Sequence, residues 1–388
     1  MMPSDGKMIR GYMEKFERLV PITGFDPVAQ APAGIQSLLA PAAAGLLSDL
    51  AERDHHQPPA CVIVRSEARG GRRFLGIRQN DSDIDGISRN RDGRHAIIFD
   101  DLIASLTACI AAAAADGCPV GLVNMVRLHG ESDRSLTREA YAALFLSLID
   151  DVERHLVRLD VAVHWTVVQA SGTGATGGGN GWPNRLAVHD VAALRNNVDV
   201  AVAGYAYPQY DASHYSARGK LLLGENVGRA IARRLRGAAP ALPRPVVLRL
   251  DPSPRGAVAT LTMAADDPLV LDVTTLPPSD VTLMGFWIQD RTGAVLGDVT
   301  VLDATRLALH FDRMPDAASL TIQYAYRNQP RSHPSADVGY PMGRGNLRTT
   351  RATLSSLLAD THLHDWVPGF ARRAADLMAG YVTNDGVA

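Results

Sequence analysis

The feature that most constrains the fold is an alternation of apolar runs and amphipathic stretches between residues 36 and 236. The apolar runs are short enough to be buried strands, and they cover residues 60–64, 119–128, 160–168 and 198–204. Helical composition or spacing occupies residues 36–53, 98–116, 135–157, 185–196 and 216–236. Strands that alternate with helices favour an open parallel sheet with helices on both faces.

The pattern changes near residue 240. Residues 238–245 are rich in Ala and Pro, as linkers are, and short strand-like segments separated by turn residues follow over 246–327. This region is typical of a small antiparallel β-sandwich. Residues 1–35 have no regular pattern, and the tail, 328–388, is expected to be a loop and then a helix around 369–380. The expected units are an α/β domain (1–237), a β-sandwich (244–328) and a C-terminal extension (329–388).

Composition excludes several classes of protein. The 39 Lys and Arg residues against 41 Asp and Glu give a net charge of −2, which is no electrostatic footprint for nucleic acid. Three cysteines without a Cys-x-x-Cys pair argue against a disulfide framework and a cysteine-built zinc site. No uncharged apolar run approaches ~18 residues, so we expect no membrane span, and no signal peptide is visible at the start. The sequence decides neither the oligomeric state nor between the cytoplasm and a phage particle as the location.

The sharpest local signal is the segment His129-Gly130-Glu131-Ser132-Asp133, which follows the strand at 119–128 and precedes a helix. In an open α/β sheet, sites collect beyond the carboxyl ends of the strands. The plainer alternative is a strand-to-helix turn in which Ser132 or Asp133 caps the helix.

A second signal is Asp211-Ala212-Ser213-His214, which follows the strand at 198–204. An Asp three residues before a His on one loop can reach Nδ1 of the imidazole and leave Nε2 as a general base. Asp-x-x-His is common, and a solvated loop pair is the alternative.

Together these segments resemble the SGNH (GDSL-like) hydrolases, in the branch of sialate O-acetylesterases and related carbohydrate acetylesterases. That branch has a (Gln/His)-Gly-Glu-Ser-Asp segment after its third strand, matched by 129–133. An Asp-x-x-His loop before its last helix is matched by 211–214. A Gly-Gly segment after its second strand is matched by Gly70 and Gly71. The similarity covers roughly residues 15–237 and implies a three-layer, flavodoxin-like α/β domain with a parallel sheet.

The resemblance also implies roles for residues. His214 would be the general base and Asp211 would orient it, while the amide of Gly70 or Gly71 and the side chain of His129 would line the oxyanion hole. Glu131 and Asp133 would hold loops together. The family usually has Gln where this chain has His129. No metal and no organic cofactor is implied, and the partner would be an acetylated glycan or another small ester.

The nucleophile is missing from its family position. The family carries a Gly-(Asp/Gln)-Ser segment at the end of its first strand, and no such segment occurs in this sequence. The nearest phrase is Gly34-Ile35-Gln36-Ser37, and Ser4 and Ser66 are further candidates, so the nucleophile is left unknown. Two explanations stay open: the chain start is placed too late, or this is a degenerate member without esterase activity.

Two further segments look like binding sites but are better explained in other ways. Residues 172–177 match Gly-x-Gly-x-x-Gly, but more glycines and Trp182-Pro183 follow instead of a clear helix, so a loop at the rim of the crevice is the better interpretation. His362 and His364 with neighbouring aspartates suggest a metal only weakly. The sequence therefore predicts an SGNH-type esterase that removes O-acetyl groups from a carbohydrate. The alternative is a non-catalytic glycan-binding or structural protein, possibly phage-related.

Overall fold

The computed structural model describes residues 9–13, 18–21, 38–53, 62–66, 71–76, 86–171, 181–209, 214–238, 242–276, 282–326, 328–329 and 342–379. It is a mixed α/β protein with parallel sheets and separate antiparallel sheets. The parallel sheets belong to the first part of the chain, where strands and helices alternate, and the antiparallel sheets to the second. This division agrees in outline with the sequence prediction. Where one domain ends and the next begins stays a prediction.

The amino-terminal region contains two strands, so the expectation of irregular structure over residues 1–35 is wrong there. Strand β1 (Ile9–Met13) pairs antiparallel with β2 (Arg18–Pro21) and parallel with β3 (Val62–Val64). The helix α1 (Leu39–Arg53) lies between β2 and β3 in the chain. Sequence patterns did not reveal β1 and β2, because each is only four or five residues long and depends on pairing with the other and, for β1, with β3.

The central region follows the predicted alternation closely. Strands β4 (Leu75–Gly76) and β5 (Arg89–Asn90) form a short parallel pair. The elements that follow are, in chain order, α2 (Ile97–Ala115), β6 (Leu122–Leu128), α3 (Arg138–Leu156), β7 (Ala162–Gln169), α4 (Trp182–Leu194), β8 (Val198–Ala203) and α5 (Ala217–Leu235). Strands β6, β7 and β8 form one parallel sheet in that order. Their carboxyl ends therefore lie along the same edge.

Local signals explain where two of these helices begin. The Thr137 hydroxyl accepts a hydrogen bond from the Ala140 N–H at the start of α3, and the Ser216 hydroxyl accepts one from the Gly219 N–H at the start of α5. Helix α4 begins at Trp182, three residues earlier than predicted. Pro183 in its first turn is compatible with this start, because the first turn needs no N–H at that position.

Helices α1 and α5 pack unusually closely through glycine. A Cβ atom on Gly228 would lie 2.0 Å from the Ala42 carbonyl oxygen, and one on Gly45 would lie 2.4 Å from the Glu225 carbonyl oxygen. Side chains at these positions would force the helices apart. Buried apolar side chains surround the contact, among them Leu46, Leu223 and Val227.

Helix α2 is long and apolar enough to cross a membrane by length and composition, with a mean hydropathy of 1.8 over its best window. A core helix of a globular protein passes the same test. Here Leu106, Cys109 and Ala113 are buried inside the protein. The expectation that no segment spans a membrane stays a prediction.

The second part of the chain is more extensively β-structured than predicted. Its strands are β9 (Arg244–Ser253), β10 (Gly256–Ala264), β11 (Leu269–Leu271), β12 (Phe286–Gln289), β13 (Leu296–Val301), β14 (Arg306–Phe311), β15 (Thr321–Tyr324), β16 (Asn328–Gln329), β17 (Met342–Gly343), β18 (Leu347–Leu354), β19 (His362–Trp366) and β20 (Phe370–Arg373), followed by α6 (Ala374–Met378). They form sheets in the orders β13-β14-β10-β9, β11-β18-β19, β12-β15-β20 and β16-β17.

The prediction of a loop over the first part of the tail is therefore wrong, whereas the helix expected around 369–380 is present over a shorter range as α6. Strand β18 pairs with β11, and β20 pairs with β15, so the tail completes sheets that begin before residue 328. Strand β18 has the sequence LRTTRATL; it is mostly polar and its buried positions are confined to its first three residues, so the alternation is too weak to reveal it. Strand β13 was also missed, since only two of its six residues are buried.

Candidate active site

The polar residues of interest gather at the carboxyl ends of β6, β7 and β8. His129–Asp133 follows β6, Ser171 follows β7, and Gly204 follows β8. His214 lies just before α5, on the loop that returns from β8. The sheet therefore brings together segments that are far apart in sequence, as predicted for an open α/β site.

The turn at Gly130 fits tightly between β7 and α4. Its carbonyl oxygen accepts a hydrogen bond of 2.8 Å from Asn184 Nδ2 in the first turn of α4. A Cβ atom on Gly130 would lie 3.3 Å from the Ala170 Cβ, which leaves little space for any side chain. The first turn of α4 therefore fixes the position of the segment that carries Glu131 and Ser132.

The His129 side chain is only 12% exposed and is held on both ring nitrogens. Its Nε2 lies 2.9 Å from the Arg72 carbonyl oxygen, which can only accept, so the proton is assigned to Nε2. Its Nδ1 lies 3.1 Å from the Tyr141 hydroxyl and 3.2 Å from Arg127 Nη2, which donates. Burial, with a smaller contribution from the charge on Arg127, lowers the pKa of His129 to about 3. The imidazole is therefore neutral near pH 7.

These contacts bear on the expected role of His129 in an oxyanion hole. Its one N–H is directed at Arg72, which lies in the segment 71–76 next to Gly71. Asp133 ties the same segment from the other end of the motif, because its Oδ2 accepts a hydrogen bond of 2.8 Å from the Phe74 N–H. The motif thus fixes segment 71–76 to the end of β6. The oxyanion role of His129 stays a prediction, and it would require the N–H to leave Arg72.

Gly71 is exposed and adopts a φ of +72°, a left-handed conformation that favours glycine. Gly70 lies outside the described residues, and so does Asp211. The expected partnership of Asp211 with His214 therefore remains a prediction. Ser4, Ser37 and the glycine-rich segment 172–177 also lie outside the described part of the chain.

Glu131 and His214 are brought together. Desolvation raises the pKa of the Glu131 carboxyl, and the positive charges of His214 and Arg127 oppose that rise. Glu131 is half-buried, whereas His214 is exposed. A charge interaction between residues 131 and 214 means that the two sequence motifs lie within electrostatic reach of each other, although β7, α4 and β8 separate them in the chain.

A group of polar residues that the sequence analysis did not single out lies beside this pair. Gln209 Nε2 donates a hydrogen bond to the buried Ser171 hydroxyl. The Tyr215 hydroxyl packs over Gly204, where a Cβ atom would lie 2.2 Å from it, so only glycine fits there. Burial, and then the charge on Glu131, raises the pKa of Tyr215 well above its usual value. Ser171 could have been identified from its position two residues after Gln169, the last residue of β7.

Two described serines lie at this edge of the sheet, and a third follows β3, which belongs to another sheet. Ser132 is half-buried in the turn after β6, Ser171 is buried after β7, and Ser66 is exposed after β3. A fourth, Ser216, is committed to capping α5. Among the residues that the structure describes, no three His, Cys, Asp or Glu side chains gather as metal ligands.

The second part of the chain reaches this edge directly. The Gln169 amide donates to the Gly369 carbonyl oxygen at 2.8 Å and accepts from the Gly369 N–H at 2.6 Å. The Tyr205 hydroxyl donates to the Val367 carbonyl oxygen at 2.6 Å, and Arg185 Nη1 donates to that of Ala325 at 2.9 Å. The candidate site is therefore supported from both halves of the molecule.

Comparisons with known proteins give little further guidance. No family model and no curated protein matches the chain. Among solved structures, a carbohydrate acetylesterase from Xanthomonas citri is similar with a TM-score of 0.42 and 16% sequence identity. The match covers 66% of this chain and 51% of that one, so it spans about half the length of the acetylesterase. A similarity of this size assigns neither a fold family nor an activity.

Proposed function

We propose that the chain is a serine esterase of the SGNH type that removes O-acetyl groups from a carbohydrate. The observation that carries the proposal is the placement of His129–Asp133 directly after β6 and of His214 between β8 and α5, at the carboxyl ends of the parallel strands. It brings the (Gln/His)-Gly-Glu-Ser-Asp segment and the histidine of the Asp-x-x-His segment to one edge of the sheet, which is where a hydrolase of this type needs them.

In the proposed reaction a serine hydroxyl attacks the acetyl carbonyl carbon, and its proton passes to His214. The carbonyl oxygen becomes an oxyanion and accepts hydrogen bonds from backbone N–H groups at Gly70 or Gly71. The bond to the sugar oxygen then breaks, and that oxygen takes the proton from His214. Water attacks the acetyl-serine in the same way, which releases acetate and restores the serine.

Carboxylates near His214 would stabilise the imidazolium that forms in each step. The family resemblance gives the orienting role to Asp211. Glu131 adds a second negative charge within electrostatic reach of the same ring.

The test is covalent labelling with a fluorophosphonate, followed by mass-spectrometric mapping of the modified residue. We expect one labelled serine in the wild-type chain and loss of the label in His214→Gln. His362→Gln, which changes another exposed histidine in β19, is the matched control and should label normally. Release of acetate from an acetylated oligosaccharide should follow the same pattern. A folded wild-type chain with neither label nor acetate release would refute the esterase.

One observation favours the second candidate, a non-catalytic glycan-binding or structural protein. Strand β1 runs parallel to β3, as the family's first strand runs parallel to its second. The residues that follow β1 are Glu14-Lys15-Phe16-Glu17, and none of them is a serine. In this alternative the crevice binds a glycan without cleaving it. Calorimetric binding of an acetylated oligosaccharide with no acetate released over a day would support it.

A further inference from the structure

Two histidines on strand β19 take no part in the proposed reaction. His362 and His364 are separated by one residue, so in an extended strand their side chains lie on the same face of the sheet. Their ring centroids are 6.4 Å apart. In the sequence this pair indicated a metal only weakly, because the loop expected there would not hold the two rings together. The strand observed in its place does hold them together.

The surface next to the two rings is open to solvent. Strand β18 is the neighbour of β19, and it places Ala352 opposite His364 and Leu354 opposite His362. Ala352 and Leu354 are both exposed, and so is His362, whereas His364 is half-buried. The rings therefore lie at a surface that an ion in solution can reach.

His364 has the hydrogen-bonding pattern of a metal ligand. Its Nδ1 lies 3.2 Å from the Arg351 carbonyl oxygen, which can only accept, so the proton is assigned to Nδ1 and the lone pair to Nε2. Metal-bound histidines are commonly oriented by a hydrogen bond from the other ring nitrogen to a carbonyl oxygen. Burial, followed by the charge of Arg348, lowers the pKa of His364. The ring is therefore neutral near pH 7, and a metal need not displace a proton from Nε2.

The two arginines beside the pair are balanced by carboxylates. Arg348 lies 2.6 Å from Asp272, and Arg351 lies 2.7 Å from Asp267. The negative charge of Asp272 also acts on His364, where it opposes the effect of Arg348. A divalent cation at the rings would therefore meet arginines whose charge is already compensated.

The separation of the rings is compatible with a shared ion. A metal bound at ~2.0 Å to Nε2 lies ~3.2 Å from the centre of its ring, so the centroids of two such rings are at most ~6.4 Å apart. The observed separation of 6.4 Å is at this outer limit. Rotation of the exposed His362 ring about its broad Cβ–Cγ torsion brings it closer, while the Arg351 carbonyl oxygen holds His364 in place.

We infer that His362 and His364 chelate one Cu²⁺ ion through their ring nitrogens, with water in the remaining positions. Two imidazoles and water oxygens form the tetragonal nitrogen and oxygen set that suits Cu²⁺, and copper binds such sites most tightly among the divalent first-row metals. A closed structural zinc site needs four protein ligands, and the part of the chain that the structure describes supplies no third side chain here. The inference does not rest on the proposed esterase. Because the fluorophosphonate reaction needs no metal, His362→Gln remains a suitable control for it.

The test is isothermal titration calorimetry of the full chain with CuCl₂, after removal of bound metals by a chelator. We expect one tight Cu²⁺ site, at which electron spin echo spectroscopy should detect two bound imidazoles. His362→Gln and His364→Gln should each weaken binding by about tenfold or more and leave at most one imidazole on the ion. His310→Gln is the matched control, because His310 also lies on a strand, β14, but has Ala308 and Asp312 two residues away instead of a second histidine.

Other outcomes contradict the inference in different ways. No binding of Cu²⁺ at millimolar concentration would refute the site. Unchanged binding in both β19 variants would place the ion elsewhere, and loss in only one folded variant would show a single ligand instead of a chelate. Tighter binding of Zn²⁺ than of Cu²⁺ would rule out the tetragonal site. Because His362 is exposed, His362→Gln should fold even if His364→Gln does not, and melting temperatures measured without metal check this.

Discussion

The buried imidazole of His129 should make the stability of the protein depend on pH in a defined window. Its pKa is about 3 in the folded protein and 6.5 in an unfolded chain. Above pH 6.5 the ring is neutral in both states and contributes no pH dependence. As the pH falls below 6.5, the imidazole becomes protonated in the unfolded chain but stays neutral in the folded protein. The free energy of unfolding therefore falls progressively between pH 6.5 and pH 3.

The size of this effect follows from the two pKa values. At pH 4, protonation of this one residue stabilises the unfolded chain by about 3 kcal/mol and the folded protein hardly at all. The variant His129→Gln removes the titration but keeps an amide that can donate to the Arg72 carbonyl oxygen. Other groups with shifted pKa values, such as His189, stay in both proteins and cancel in the comparison.

The assay is urea unfolding followed by circular dichroism at several values of pH from 4 to 7. Between pH 7 and pH 4, we expect the free energy of unfolding to fall by about 3 kcal/mol more in the wild type than in His129→Gln. Near pH 7, the free energy of unfolding should change with pH in the same way in both proteins. Parallel curves for wild type and variant across the whole range would show that His129 titrates normally, and would refute both its burial as a neutral ring and the contact with Arg72.

Three further predictions concern packing and buried charge. Gly228→Ala should lower stability by about 1–3 kcal/mol, because its Cβ would lie 2.0 Å from the Ala42 carbonyl oxygen; Gly121→Ala, whose Cβ meets nothing within 4 Å, is the control, and equal urea midpoints would contradict the close packing. Arg185→Met should lower stability by about 1–3 kcal/mol, because it leaves the buried Ala325 carbonyl oxygen without the hydrogen bond that Arg185 donates; an unchanged melting temperature would oppose this. Glu225→Gln should cost about 1–3 kcal/mol, because the buried carboxylate accepts three hydrogen bonds from a serine pair, and unchanged urea unfolding would count against it.

The parts of the fold that sequence predicted are those set by local periodicity. Helix α3 was expected over 135–157 and runs over Arg138–Leu156, as its apolar spacing predicts. Its N-cap is Thr137, so the alternative in which Ser132 or Asp133 caps the helix is wrong. The tail could not be predicted in this way. Strand β18 is stabilised by pairing with β11, which lies far away in the chain, and its own residues alternate too weakly to reveal it.

The candidate site likewise contains some features that the sequence predicted and others that it could not. The positions of His129–Asp133 and His214 at strand ends could be predicted, because strand ends are local features. The tie from His129 to Arg72 and the hydrogen bond from Gln209 to Ser171 could not, since each joins residues whose nearness depends on how the sheet is assembled. A single polar residue such as Gln209 carries no pattern that marks it before that assembly is known.

The double hydrogen bond between Gln169 and Gly369 joins residues that are 200 positions apart. A ribosome makes the chain from its amino end, so β7 and α4 leave the exit tunnel long before their partners in the second half. Until those partners arrive, the Gln169 amide can bind only its neighbours in α4, such as the Arg185 carbonyl oxygen, and the guanidinium of Arg185 lacks the Ala325 carbonyl oxygen. The edge of the sheet that carries both motifs is therefore completed only after residue 369 has left the exit tunnel, so a nascent chain contains both motifs before they reach their final geometry.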